Sequence, residues 1–370
     1  MAWAILALLA FAALSSFWAL HPGRTLSKLT QITVVYLMFL GTVVWVNRLT
    51  AIEVWQMARG VVHGSLLGMA YLAFELASGR LITTELLNLT GLFSNQQTFT
   101  YASDGSILNI PAVSLNRNVT VLSMLFWPVL LGLMCWLKPW PRTRNGAILV
   151  AFAIILPILV YSESETAKIA FIAGSICLFL ASANFAFAYW STALAWISVT
   201  LFIIPLTLVV VPPDADYIQH LPASAQDRTE IWNYTINETL KSPIIGVGAV
   251  MTRYIHNSQI KTEPPPRRFQ PRLSHHTHNI YLQTWFELGL VGALLLFFVG
   301  TSVLFSSKKL NGYSAKIVLA QFASAAVVGL TSYGMWQVWL ITAVFTSAVF
   351  SSLAIKNTNS ISTRRGRSGR

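Results

Sequence analysis

Charge is what this sequence has least of. Only 10% of its 370 residues are Asp, Glu, Lys or Arg, against 55% hydrophobic, where an ordinary soluble domain spends about a quarter of its residues on charge. That shortage excludes a soluble globular fold. Cysteine is nearly absent too: Cys135 and Cys177 both fall inside apolar runs, so neither a disulfide framework nor a thiolate metal site is expected. No HExxH or CxxC pattern occurs, no repeat of 20–50 residues and no low-complexity block. No basic residue precedes the first apolar run, so no cleavable signal peptide is expected.

What is there is a series of apolar runs near the ~20 residues needed to cross a bilayer. They lie at roughly 2–20, 29–46, 60–78, 118–137, 146–161, 167–187, 190–211, 279–305, 316–332 and 335–355. The expected fold is all-α, a polytopic transmembrane helix bundle of about ten spans. Acids are outnumbered by bases, 13 to 25, and much of the surplus sits in "KPWPRTR" (138–144), "SSKKLNGYSAK" (306–316) and "TRRGRSGR" (363–370). Loops rich in Lys and Arg stay in the cytoplasm. This divides the chain into spans one to seven over 1–211 with an outer loop at 79–116, a large outer loop at 212–278, spans eight to ten over 279–355, and a basic cytoplasmic tail at 356–370. One loop opposes the rule: "HPGRTLSK" (21–28) carries Arg24 and Lys28 yet lands on the outer face.

The loop at 212–278 holds five of the seven histidines, eight of the fifteen prolines and seven basic side chains. Loops this long in a compact protein are usually functional or disordered, and its aromatic and branched residues argue for order. "SAQDRTEIWNYTINETLKSPIIGVG" reads as a short amphipathic helix, with Asp227 and Glu230 spaced like a capping box and Trp232, Ile236 and Leu240 at four-residue intervals. Pro243, Gly246 and Gly248 end it. "TEPPPRRFQPR" (262–272) holds no regular helix because proline removes donors and fixes φ; it reads as an extended basic strap carrying Arg267, Arg268 and Arg272.

Placed in the first turn of that helix, Arg228 opposes the macrodipole, at a cost of a few tenths to about 1 kcal/mol. A phosphate would compensate by taking a bidentate guanidinium together with the free N–H groups of the helix end. A surface pair with Asp227 or Glu230, worth little, is the alternative, and the sequence leaves both open.

"LSHHTHNIYLQTWFELGLVG" (273–292) places His275, His276 and His278 against the start of an apolar helix. Leu282, Trp285, Gly289 and Gly292 follow His278 at offsets of four, seven, eleven and fourteen, a stripe whose glycines admit a close neighbour. An imidazole so mounted, with an ordinary pKa near 6.5, suits a positioned base that takes a proton from a hydroxyl; the bland reading is a capping or interfacial histidine. No metal site is expected, because the three histidines are too close in sequence to share one ion without a distant fourth ligand. Asp214 and Asp216 suit solvation as well as a cation. Asn279, Gln283 and Glu287 form a second stripe, read as bracing the bundle. "SESETAK" (162–168) offers a capping box from Ser162 to Glu165, and Lys168 beyond it is a snorkelling lysine or an anion ligand; the site role is preferred. Arg117 opens the fourth span on the same expected face. Converging arginines, a lysine and a histidine suit a phosphorylated lipid better than a transported cation, and nothing points to nucleic acid.

With these residues in place, the chain resembles the O-antigen ligase and polymerase superfamily. "HNIYLQTWFELGLVG" is similar to its histidine signature: His278, Asn279, Gly289 and Gly292 match. Arg228 with Trp232 resembles the outer-face arginine followed four residues on by a hydrophobic residue, here aromatic in place of the common leucine. "SPIIGVG" and "NRNVTVLSMLFWP" are similar to the proline and glycine turn and to an early span; the likeness covers roughly 110–300. It implies a GT-C-like glycosyltransferase of the bacterial inner membrane with its site on the periplasmic face. The implied donor is an undecaprenyl-pyrophosphate-linked glycan and the acceptor lipid A core or a second lipid-linked glycan. No cofactor, nucleotide sugar or metal is implied. His278 would be the base and Arg228 would stabilise the leaving pyrophosphate, with Lys168, Arg117, Arg267, Arg268, Arg272, His275, His276 and Trp232 around the substrates. Two departures stand out: Ser164-Glu165 replaces the Ser-Arg common at the sixth span, and the spans are fewer than ligases usually have. A polymerase differs only in acceptor, as does a protein-directed oligosaccharyltransferase. A lipid-linked oligosaccharide flippase would share the basic cavity and have no use for a base.

Overall fold

The computed structural model describes residues 1–91, 99–137, 140–212, 218, 220–221, 223–255, 276–331 and 333–368. All ten apolar runs are helical. The helices in chain order are α1 (Ala2–Leu14), α2 (Pro22–Arg48), α3 (Ala51–Ala77), a short α4 (Leu81–Thr90), α5 (Asn116–Trp136), α6 (Pro141–Tyr161), α7 (Glu165–Ala183), α8 (Phe185–Leu201) and α9 (Ile203–Val210). Beyond them come α10 (Ala223–Thr239), α11 (Ile280–Lys308), α12 (Gly312–Thr331) and α13 (Val338–Ser368). A two-stranded antiparallel hairpin, β1 (Thr100–Tyr101) with β2 (Ile107–Asn109), is the sheet among the described residues.

The expected ten spans need correcting. Among the described residues eight helices are long and apolar enough to cross a membrane, and a ninth crossing requires α8 and α9, which bend by 90° at Phe202, to be one span. Pro205, in the first turn of α9, has no N–H to offer the carbonyl of Leu201 and its ring crowds that carbonyl, so the helix breaks there. α1 with its 3-10 continuation reaches only Ala2–Phe17. The short fifth run, 146–161, gains length at its start, where Pro141 occupies the first helical position with a φ already suited to it.

Two compact units share the chain, Met1–Gly41 with Cys177–Thr342, and Thr42–Ile176 with Ala343–Arg370. In the second, α3 packs on α5 and α6. Its start is a capping box, Thr50 with Glu53. The ammonium of Lys356 closes the end of α2 by donating to the carbonyls of Val46, Asn47 and Leu49 at 2.8–2.9 Å. Glu75, fully buried, accepts from the backbone N–H groups of Ile82 and Thr83 and so caps α4.

In the first unit α11 is the central element, packed on α1, α8, α10 and α12. Two indoles fasten it to α8: Trp196 donates to the carbonyl of Phe297 at 3.1 Å and Trp285 to that of Thr200 at 2.9 Å. Tyr281 donates to the Ala326 carbonyl on α12 at 2.8 Å.

The helix α11 is broken at Gly289, whose φ of 62° and ψ of −159° are not helical. The break frees the carbonyls of Phe286 and Glu287 and the N–H groups of Leu290 and Val291, which an unbroken helix would pair with one another. The "PIIGVG" turn supplies all four partners. Val247 N–H donates to Phe286 (3.1 Å) and Gly248 N–H to Glu287 (2.9 Å), while Leu290 and Val291 donate to the carbonyls of Pro243 (2.8 Å) and Ile244 (3.2 Å). Irregular backbone at membrane depth survives only when protein satisfies it this way. The glycines at 289 and 292 therefore do not admit a neighbouring helix, as their spacing suggests. Gly289 admits the turn's backbone, since a Cβ there would lie 2.3 Å from the Ile244 carbonyl, and a Cβ on Gly292 would strike Leu288 of its own helix at 2.1 Å.

Candidate active site

His278 does not ride on α11. Asn279 is the N-cap, its side-chain oxygen accepting from the N–H groups of Tyr281 (3.0 Å) and Leu282 (3.1 Å), so His278 stands one residue outside the helix, at a φ of 56°. The stripe linking it to Leu282 and Trp285 is thus replaced by a fixed turn. Thr277, fully buried, donates to the Asn279 carbonyl at 2.6 Å and accepts from the Asn279 N–H at 3.2 Å, closing the backbone around the histidine. A left-handed non-glycine residue is uncommon and clusters at functional sites. The half-buried ring of His278 meets that of His276 edge-on, centroids 4.2 Å apart.

Trp232 joins this turn to α10 by donating its indole N–H to the Thr277 carbonyl at 2.9 Å. That bond ties the residue before His278 to α10. Trp232→Phe keeps the ring and removes the donor, and is expected to cost about 1 kcal/mol, read as a lower apparent melting temperature in detergent.

Arg228 lies one turn before Trp232. Because α10 begins at Ala223, Arg228 is its sixth residue and not in the first turn, so the argument from an opposed macrodipole fails, as does the capping box from Asp227. What remains is burial. Among the described residues the half-buried guanidinium has no ion pair, which removes the surface pair with Asp227 or Glu230. Burial lowers its pKa from the usual arginine value and nearby Tyr333 opposes that shift. A cation held out of water without a carboxylate favours an anionic ligand.

The next residue of the Tyr333 segment, Gly334, abuts His276: a Cβ at Gly334 would come 2.7 Å from that of the histidine. Beyond His276 opens a cavity of about 320 Å³, which Arg24, Lys28, Gln31, Arg253, Tyr254 and Gln337 line with it. On its floor the fully buried Glu287 accepts from the N–H groups of Val250 (2.8 Å) and Thr252 (3.0 Å), the Thr252 hydroxyl (2.5 Å), the Gln283 amide (3.1 Å) and the Trp336 indole. The bracing role read for Gln283 and Glu287 is therefore directed at the segment 250–254. Val250, β-branched at a φ of 68°, is held in strained backbone by that carboxylate.

The sequence missed Arg24, Lys28 and Arg253. Its one signal was the loop 21–28, whose charges sit on the wrong side for the positive-inside rule. Arg267, Arg268, Arg272 and His275 lie outside the described residues, as do Asp214 and Asp216. Arg117 and Lys168 belong to the second unit. There the Asn116 amide donates to the Glu163 carbonyl (3.3 Å) and the Thr120 and Ser164 hydroxyls meet (3.2 Å), bringing the starts of α5 and α7, and with them Arg117 and Lys168, to one end. The cap of α7 is Ser164, accepting from the Ala167 N–H at 3.3 Å, rather than Ser162, which donates to Leu159. Lys168 pairs with Glu165 at 2.8 Å.

Residues 148–297, which include Arg228, Trp232, His276 and His278, match the O-antigen ligase family. Similar proteins run almost the full length of the chain. One from Rickettsia conorii, named "Putative polysaccharide ligase", is 23% identical over 352 residues, covering 93% of this chain and 77% of its own. One of the same name from Rickettsia felis is 23% identical over 355 residues, covering 93% and 78%. The described helices and these likenesses agree: the chain is a multi-pass membrane protein whose residues 148–297 match the O-antigen ligase family.

Proposed function

We propose that the protein transfers a glycan from an undecaprenyl-pyrophosphate carrier to an acceptor hydroxyl at the periplasmic face of a bacterial inner membrane, with inversion at the anomeric carbon. His278 takes the hydroxyl proton as the acceptor oxygen bonds to the anomeric carbon. The bond from that carbon to the pyrophosphate breaks, and undecaprenyl pyrophosphate leaves with the electron pair. Arg228 carries the charge that develops on the leaving group, a contribution that is usually large in enzymes. Neither role requires a cofactor.

The observation that carries this reading is the fixed turn at 277–279. An imidazole in left-handed backbone is locked by the Asn279 cap on one side and by Trp232 on the other, and Trp232 stands one turn from a half-buried arginine that forms no ion pair among the described residues. A base needs such rigidity. Purified protein given a labelled lipid-linked repeat tests it. Glycan transfer with release of undecaprenyl pyrophosphate is expected; movement of the intact lipid across liposomes without cleavage would identify a flippase. Lipid A core as the working acceptor marks a ligase, and a second lipid-linked repeat marks a polymerase. Arg228→Lys keeps the charge but not the two-pronged contact, and is expected to slow transfer about ten- to a hundredfold, the worth of one charge-assisted hydrogen bond. An unchanged rate would remove Arg228 from the leaving-group site.

A further inference from the structure

We infer that the cavity lined by Arg24, Lys28 and Arg253 is the acceptor subsite, and that it recognises the acceptor through a phosphate carried beside the reacting hydroxyl. The inference rests on the transferase reading above.

Three cationic side chains face this cavity against one carboxylate, Glu287, which already accepts five hydrogen bonds. Among the described residues neither Arg24 nor Lys28 forms an ion pair. The cations are brought together by deliberate ties. The Thr25 hydroxyl donates to the Ala249 carbonyl at 2.8 Å, and the Ala249 N–H donates to the Ser15 hydroxyl at 2.8 Å, which pins the first turn of α2 beside the segment carrying Arg253. Glu287 then holds Val250 and Thr252 on the cavity floor. A chain poor in charge has thus gathered three bases from two distant segments around one concavity. At about 320 Å³ it sits at the low end of ligand pockets, roughly 300–1,000 Å³, and takes a head group rather than a whole glycan.

Its position assigns it to the acceptor and not the donor. Arg228 does not line it. In order of contact, the cavity touches His276, His276 touches His278, and the Thr277 carbonyl touches Trp232, one turn from Arg228. Inversion requires the nucleophile and the leaving group on opposite faces of the anomeric carbon, with the base on the nucleophile's side. If the pyrophosphate departs toward Arg228, a ligand anchored in the cavity is on the side from which the hydroxyl arrives. One anion site serves the leaving group, and the second has no use unless the acceptor is anionic as well. A phosphorylated, lipid-anchored saccharide and the diphosphate of a second carrier lipid share that chemistry.

The test is two-substrate kinetics on the full-length protein in detergent, using as acceptor a lipid-anchored oligosaccharide with one phosphomonoester, the same compound after phosphatase treatment, and, separately, a second carrier-linked repeat. Variants are Arg24→Gln, Lys28→Gln and Arg253→Gln, each first shown to run as the parental species on size exclusion. Each is expected to raise the KM for the phosphorylated acceptor about tenfold while the donor KM stays within about twofold. Phosphatase treatment should raise the parental KM similarly and have little further effect on the double variant Arg24→Gln/Lys28→Gln. The acceptor that receives the glycan identifies the source of the phosphate. A rise in donor KM instead, or variants that discriminate the two acceptors as the parent does, would overturn the assignment. Should the parental protein transfer glycan to no acceptor, the transferase reading fails on its own, and binding is measured instead, by quenching of tryptophan fluorescence with the phosphorylated glycolipid as probe. Phosphate-dependent binding abolished by Arg24→Gln/Lys28→Gln would retain the cavity as an anion site, and phosphate-independent binding would refute it.

Discussion

His278→Asn is expected to reduce glycan transfer by about two to four orders of magnitude, the usual worth of a positioned general base, while the protein inserts and accumulates as before. Asparagine is the better first choice over alanine. His278 sits at a φ of 56°, where Asn, like His, is several-fold enriched among non-glycine residues, whereas alanine lacks the short polar side chain that steadies the left-handed conformation. Loss of activity in the alanine variant could therefore reflect a displaced turn, whereas the asparagine variant keeps the turn and removes the base. His278→Gly extends the test. Glycine is at ease in this conformation, and the vacated space beside His276 can admit free imidazole, which is expected to restore part of the rate. Parental activity in His278→Asn, measured on purified protein with labelled donor, would exclude the base role.

The parts of this molecule that local pattern dictates were readable. Each apolar run is largely helical, and of the stripe Asn279, Gln283 and Glu287, read as bracing the bundle, Gln283 and Glu287 do so while Asn279 is instead the N-cap. Where the reading failed, the deciding contact was distant in sequence. Nothing near Gly289 says that the helix must break there; the break is stable only because residues 243–248 supply the four missing hydrogen-bond partners. The bond from the Trp232 indole to the Thr277 carbonyl, forty-five positions away, has no local signal either. Arg228 was assigned to a first turn because Asp227 and Glu230 imitate a capping box, although α10 had already begun at Ala223. Pro205, by contrast, is a local signal for the 90° bend of the α8–α9 pair. The charges of Arg24 and Lys28 read locally only as an offence against topology. In a protein with so few charges, such an offence is better read as a site whose partners come from elsewhere in the chain.

Gly289→Ala is expected to prevent accumulation of folded protein altogether. Its φ of 62° and ψ of −159° fall in a region essentially reserved for glycine, and the added Cβ would lie 2.3 Å from both the carbonyl carbon and the oxygen of Ile244. Backbone does not yield as a flexible side chain does. The helix could straighten only by expelling the "PIIGVG" turn, which would leave the carbonyls of Pro243 and Ile244 and the N–H groups of Val247 and Gly248 without partners. Together these costs exceed the roughly 4–5 kcal/mol beyond which single substitutions are exceptional, a large share of the 5–15 kcal/mol typical of a folded domain. Gly68→Ala is the control: it lies inside α3 with nothing within 4 Å of the added methyl, and should accumulate at the parental level. Size exclusion of the detergent-solubilised variants compares the two, and a folded Gly289→Ala at parental yield would show that the break is dispensable. The consequence reaches the site, because the break sets the direction in which Glu287 meets Val250 and Thr252 and hence where Arg253 stands. If an intragenic suppressor of Gly289→Ala is selected, it should fall at 243–248, and the restored protein should bind the phosphorylated glycolipid more weakly than the parent.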